Sequence, residues 1–306
     1  MVIARCSILL ALMANAWAQP EPTFSADVKV VSLLATVHDR DGRVVKNLTA
    51  DDFVLLEDGA PQQIRYFSQE TNLPLTIGLL VDTSRSQTGV LEPERRASYT
   101  FLDRVLGKDQ DRAFVAHFDT RVEILQGLTS SRPELESALD RLSIPGRYAT
   151  LIYSAVRDGS EQVMRKQTGR KAFILLTDGV EFRDDTSIGT AIEFAQRADT
   201  IIYSIRFSDA IRFYLPFQAA IQSALKEKGK HALERMAKET GGVSFEVSKT
   251  QTIQAIYAQI EDWLRNQYSI GFTPERKGGD GSYHKIKLTT KDRTLTVNTR
   301  DGYYAK

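Results

Sequence analysis

Asp82, Ser84 and Ser86 stand at alternate positions of Val81-Asp-Thr-Ser-Arg-Ser86, immediately after an apolar run over 75–81. One carboxylate and two hydroxyls in so short a loop can reach a single point. Two further segments offer the same kind of atom. Leu175-Leu-Thr-Asp178-Gly179 ends a second apolar run with a carboxylate, and Tyr148-Ala-Thr150 sets a hydroxyl before a helical stretch. Oxygen-only donors suit a hard divalent cation, Mg²⁺ or Ca²⁺, rather than zinc or copper. Each segment alone has an ordinary reading as well. Ser and Thr are preferred helix caps, Asp-Gly is a common turn, and Thr150 is an acceptable N-cap. All three together, each at a strand or helix boundary, favour a site.

Three loops meet only if a scaffold brings them to one edge, and the middle of the chain has that pattern. The run 75–81 (LTIGLLV) is continuously apolar, as expected of a strand buried on both faces of a parallel sheet, and 171–177 (KAFILLT) and 200–207 (TIIYSIRF) read as further buried strands. Shorter strands are expected at 113–118, 122–125 and 242–247. Helices are expected at 92–106, 133–142, 151–166, 187–198, 231–239 and 253–264. Alternation of this kind predicts a doubly wound, mostly parallel α/β sheet, with its ligand crevice at the carboxyl ends of the strands.

The ends of the chain read differently. Residues 28–37, 53–56 and 64–67 are short β-rich runs separated by turn signals at 39–42 and 57–59. The pattern returns at 268–272, 283–288 and 294–297, with a Gly-rich turn at 278–281. A three-stranded piece is marginal alone, so the two ends are expected to pool their strands into one small β unit. The expected division is a signal peptide over 1–18, an N-terminal β segment over 19–72, the α/β domain over 73–266 and a C-terminal β segment over 267–306.

Length and charge remove several functions. The 306 residues carry a net charge of +1, and Lys and Arg are scattered, so no nucleic-acid surface is expected. Arg5, an apolar run over 8–13 and Ala16-Trp17-Ala18 form a signal-peptide pattern, with cleavage after Ala18. That predicts a secreted or periplasmic protein with no membrane span in the mature chain. Cys6, the only cysteine, lies within that segment, which excludes disulfides and thiolate chemistry afterwards.

Enzymatic signatures are missing. No G-x-S-x-G elbow, Walker A loop or G-x-G-x-x-G turn is present. His38, His117, His231 and His284 lie in separate segments, and His117 reads as a packed strand residue. An aspartyl-phosphate at Asp82 would want a second acid where Ser84 stands. The chain is therefore expected to bind rather than catalyse. An envelope scaffold with a non-essential metal is the alternative, and a hydrolase ranks below both. Asp184-Asp185 reads as a solvated stretch, and Ile253, Ile256, Ile260 and Leu264 as one packed helix face.

The stretch 74–264 resembles a von Willebrand factor A domain, whose metal-ion-dependent adhesion site consists of D-x-S-x-S, a distant Thr and a later Asp. The matching positions are Asp82, Ser84, Ser86, Thr150 and Asp178. Gly146-Arg147-Tyr148-Ala149 departs from the glycines that often precede the family's Thr. The ends are similar to an exported bacterial subgroup: Asp41 to Phe53 fits D-G-x-x-V-x-x-L-x-x-x-D-F, and Gln267 to Phe272 with Arg300 to Tyr304 fits Q-Y-x-I-G-F…R-x-G-Y-Y. The resemblance implies a divalent cation (Mg²⁺ before Mn²⁺ or Ca²⁺) that keeps one position open for an Asp or Glu carboxylate of a partner protein. It sets Arg85 at the rim of the binding face.

Overall fold

A computed structural model describes residues 30–69, 73–144, 149–207, 216–274 and 281–305. The expected signal peptide over 1–18, the Gly146–Tyr148 approach to Thr150 and most of the 278–281 turn lie outside the described residues.

The chain opens with β1 (Val31–His38), β2 (Phe53–Glu57), β3 (Ala60–Gln62) and β4 (Tyr66–Ser68). The α/β part follows with β5 (Leu75–Asp82), α1 (Leu91–Val105), β6 (Arg112–Phe118), β7 (Val122–Thr129), α2 (Arg132–Asp140) and α3 (Ile152–Gln162). It continues through β8 (Arg170–Leu176), α4 (Ile188–Arg197), β9 (Ile201–Phe207), α5 (Pro216–Thr240), β10 (Ser244–Val247) and α6 (Ile253–Arg265). The chain closes with β11 (Tyr268–Phe272), β12 (Tyr283–Thr290), β13 (Thr296–Asn298) and β14 (Gly302–Tyr304).

The central sheet runs β10-β9-β8-β5-β6-β7, parallel except for the β6–β7 pair. β5, β8 and β9 are buried at every residue, which is why their sequences lack a polar face. From β5 the chain builds outward to β6 on one side and to β8 on the other. The order therefore reverses at β5, and a crevice opens beyond its carboxyl end. That end is Asp82.

The two ends of the chain do pair. β1 lies antiparallel to β11 and β13, and β2 to β12, giving the sheets β13-β1-β11-β4 and β14-β12-β2-β3. Their inward residues, among them Leu33, Val37, Leu55, Ile270, Phe272, Leu288 and Tyr303, form one apolar cluster.

Trp263 of α6 joins the two parts. Its indole stacks on His38 at 4.8 Å and donates to the Gly42 carbonyl at 3.1 Å, while its other neighbours are Tyr203 and Phe245 of the central sheet. Ile253, Ile256, Ile260 and Leu264 are buried, as their spacing predicts.

Several elements differ from expectation. α5 is one helix of 25 residues where only 231–239 carries a helical pattern. Ile221 and Leu225 on its first half are exposed, so no apolar stripe marks that half in the sequence. β3 and β14 are three-residue strands, too short for an alternation to show.

Candidate metal centre

The motif loop leaves β5 at its buried end. Asp82 is fully buried; its Oδ1 accepts the Ser84 amide at 2.8 Å and its Oδ2 accepts the Thr177 hydroxyl at 2.6 Å. Ser84 Oγ and Ser86 Oγ lie 3.0 Å apart, with the Gln87 carboxamide donating to Ser86 Oγ at 3.3 Å. The capping alternative fails on geometry. The chain turns through a 3-10 helix at Arg85–Gly89 and α1 starts after Val90, and neither has a side-chain cap. The motif hydroxyls are thus not spent on a helix end.

Asp178 enters from the loop after β8, one residue beyond Thr177, whose hydroxyl also accepts the Gly179 amide at 3.1 Å. Here the turn reading holds as well: Asp178 Oδ1 accepts the Val180 amide at 3.0 Å, and Gly179 has φ +83°. A Cβ at Gly179 would stand 2.8 Å from the Gly229 carbonyl of α5, so glycine is required by close approach as well as by φ.

Thr150 is held through its backbone. Thr150 N–H donates to Phe182 O at 2.9 Å, and Phe182 N–H returns a bond to Thr150 O at 3.2 Å. The next residue, Leu151, donates its amide to Asp119 O beyond β6. The N-cap of α3 is Leu151, without a side-chain cap, so Thr150 does not cap it. Asp184 does that work instead: its carboxylate accepts the Ser154 amide at 2.9 Å and the Ser154 hydroxyl at 2.7 Å. This corrects the expectation of a solvated Asp184-Asp185 stretch, because Asp184 ties the Asp178 loop to α3. Asp185 is exposed.

Sequence reading passed over other members. Thr83 shares its hydroxyl with His117 Nδ1 at 2.9 Å and Asp119 Oδ2 at 3.0 Å, which pins the motif loop to the end of β6. His117 therefore supports the loop rather than only filling space. Glu94 is 1 % exposed on the inner face of α1, a charge in a slot whose spacing from Leu91, Ser98 and Phe101 marks it as inward.

A buried acid with a second acid acting on it resists ionisation. Burial, and next the charge of Asp178, push the Asp82 carboxyl up from 3.8 to about 7; the Thr177 and Ser84 hydrogen bonds pull the other way. Burial also raises Glu94 well above the usual carboxylate range, and Asp82 and Asp178 add to it. A cation among these oxygens would relieve that repulsion. Asp82, Ser84 and Ser86 share one loop, Thr177 ties Asp82 to the strand end that carries Asp178, and carboxylate and hydroxyl oxygens are donors that fit a hard ion.

The fold and this loop set define a class, and comparison names it. The family model for the von Willebrand factor type A domain matches residues 76–259, more than half of the chain. The chain belongs to the von Willebrand factor type A domain family. No curated protein sequence matches it. Among solved structures, proximal thread matrix protein 1 from the mussel byssus, with a zinc-occupied MIDAS motif, aligns with a TM-score of 0.51 at 17% identity; the alignment covers 69% of this chain and 50% of that one. The chain thus spans about half the length of the mussel protein. BatB from Bacteroides thetaiotaomicron aligns at 0.46 and 15% identity, over 64% of this chain and 100% of that one. The von Willebrand factor domain of the pilus tip protein Mfa5 from Porphyromonas gingivalis aligns at 0.48 and 13%, over 62% and 94%. At 17% identity the likeness to the mussel protein is one of fold.

Proposed function

We propose that this protein holds a divalent cation through Asp82, Ser84, Ser86, Thr150 and Asp178, and that the bound ion captures a carboxylate of a partner protein. The observation that carries the reading is the motif loop itself. A buried aspartate and two adjacent serine hydroxyls stand where the strand order reverses, and the hydroxyls cap no helix. The zinc-occupied motif of the mussel protein supports divalent binding by this kind of site. Oxygen donors favour Mg²⁺, with Mn²⁺ and Ca²⁺ as substitutes.

The rim suits an acidic partner. Arg85 is exposed within the motif loop, and Phe182, 48 % exposed, is directly opposite Thr150 with the Arg183 guanidinium 5.1 Å from its ring. The function is binding rather than catalysis. Among the described residues no helix is long and apolar enough to cross a membrane. The pattern over 1–18 supports action outside the cytoplasm, and a mature protein beginning at Gln19 is the expected product.

Calorimetry with Mg²⁺, Mn²⁺ and Ca²⁺ on the wild type and Asp82→Ala tests the metal. Uptake by the wild type and none by the variant is expected; equal heats from both would defeat the reading. Capture from envelope extracts with and without EDTA tests the bridge, and equal capture in both would contradict it.

A further inference from the structure

Glu94 sits in the first turn of α1, just after the 3-10 turn of the motif loop, and neither of its carboxylate oxygens has a hydrogen-bond partner. It is 1 % exposed, on the fourth residue of α1, and its amide is already used in bonding the Val90 carbonyl. The rest of that helix face is Leu91, Ala97, Ser98, Phe101, Leu102 and Val105. Below Glu94, Ser98 bonds the Tyr257 hydroxyl of α6 at 3.1 Å, so the pocket is closed on the side away from the loop. In the motif loop Gln87 Oε1 is a second buried oxygen without a partner, while its Nε2 donates to Ser86 Oγ.

A buried acid with no partner is among the least favourable groups a core can contain. Glutamine or methionine would fill the slot at lower cost. The charges of Asp82 and Asp178 both oppose ionisation of Glu94, so without a cation the three acids are mutually unfavourable. Its position becomes favourable when a divalent ion binds above it. Side chains behind the direct ligands of a metal govern how tightly it is held, typically by 10–100-fold.

We propose that Glu94 is an outer carboxylate of the metal centre, a charge-balancing residue on the first turn of α1 that raises affinity for the ion without touching it directly. The inference rests on the metal reading above. It assigns α1 a part in the site that the five motif residues do not include.

The test is titration with Mn²⁺ and with Mg²⁺ alone, followed by calorimetry and by loss of the free Mn²⁺ resonance signal. The proteins are the wild type, Glu94→Gln, Glu94→Met and Glu94→Asp, and each is also melted in EDTA. Glu94→Gln and Glu94→Met should bind Mn²⁺ at least tenfold more weakly, with EDTA melting temperatures equal to or above that of the wild type. Glu94→Asp, which keeps the charge, should stay closer to wild-type affinity than either neutral variant. Either neutral variant, folded and binding as the wild type does, overturns the inference and leaves the metal reading standing. A wild type that takes up neither ion overturns both.

Discussion

The central sheet and the terminal β unit bury their strands in opposite ways. β5, β8 and β9 are covered on both faces by helices, and none of their residues is more than slightly exposed. β2 and β12 alternate, with Leu55, Ile286 and Leu288 inward and Val54, Lys285 and Lys287 outward. A sheet dry on both faces can offer chemistry only at its ends, which is where Asp82, Thr177 and Asp178 lie. A sheet with one wet face can tolerate change anywhere along that face, and it contributes mass and attachment rather than a crevice.

The sharpest way to break this contrast is a charge on β5. Leu79→Asp places an unpaired carboxylate at a residue with no exposure, and the α/β part should fail to fold, read as loss of cooperative melting by circular dichroism. Next in size is the joint. Trp263→Ala removes the stack on His38 and the bond to Gly42, and should lower unfolding free energy by about 3–5 kcal/mol in urea. Two separate unfolding transitions in that variant would show that the parts can melt independently.

A smaller effect belongs to the crevice. Asp82 in the metal-free protein is raised to about 7, so the folded state holds that proton more firmly than the unfolded chain. The stabilisation is full below about pH 4 and is lost as pH rises through 7. In EDTA the melting temperature should fall between pH 5 and 8, and Glu94 adds in the same direction. Excess Mg²⁺ should flatten that fall, whereas a melting temperature that rises with pH in EDTA would contradict the burial of Asp82. Smallest of all, Val54→Lys on the wet face of β2 should shift stability by less than about 0.5 kcal/mol, since Val54 is 40 % exposed.

The buried strands were legible because a strand dry on both faces has to be mostly apolar, and 75–81, 171–177 and 200–207 show no alternating polar face. The pairing of the two ends could be reasoned from the weakness of three isolated strands, but not their registers. Thr150 could not be separated from an N-cap in sequence, because that choice depends on Asp184, which reaches Ser154 from a distant loop. Glu94 was hidden by its charge: an acid in an apolar stripe reads as a break in the stripe. The first half of α5 was hidden for the opposite reason, since a helix half in solvent has no stripe to find.

That half of α5 has a consequence for access. Gly229 meets Gly179 beside Asp178, and the helix begins more than three turns earlier, at Pro216. Those turns extend about 20 Å beyond the Asp178 loop at 1.5 Å per residue. They form a parapet along one side of the crevice. For the proposed capture of a carboxylate, a broad, flat partner would strike the parapet first. A protruding loop or a chain end could pass beside it, so shape would screen partners before chemistry does.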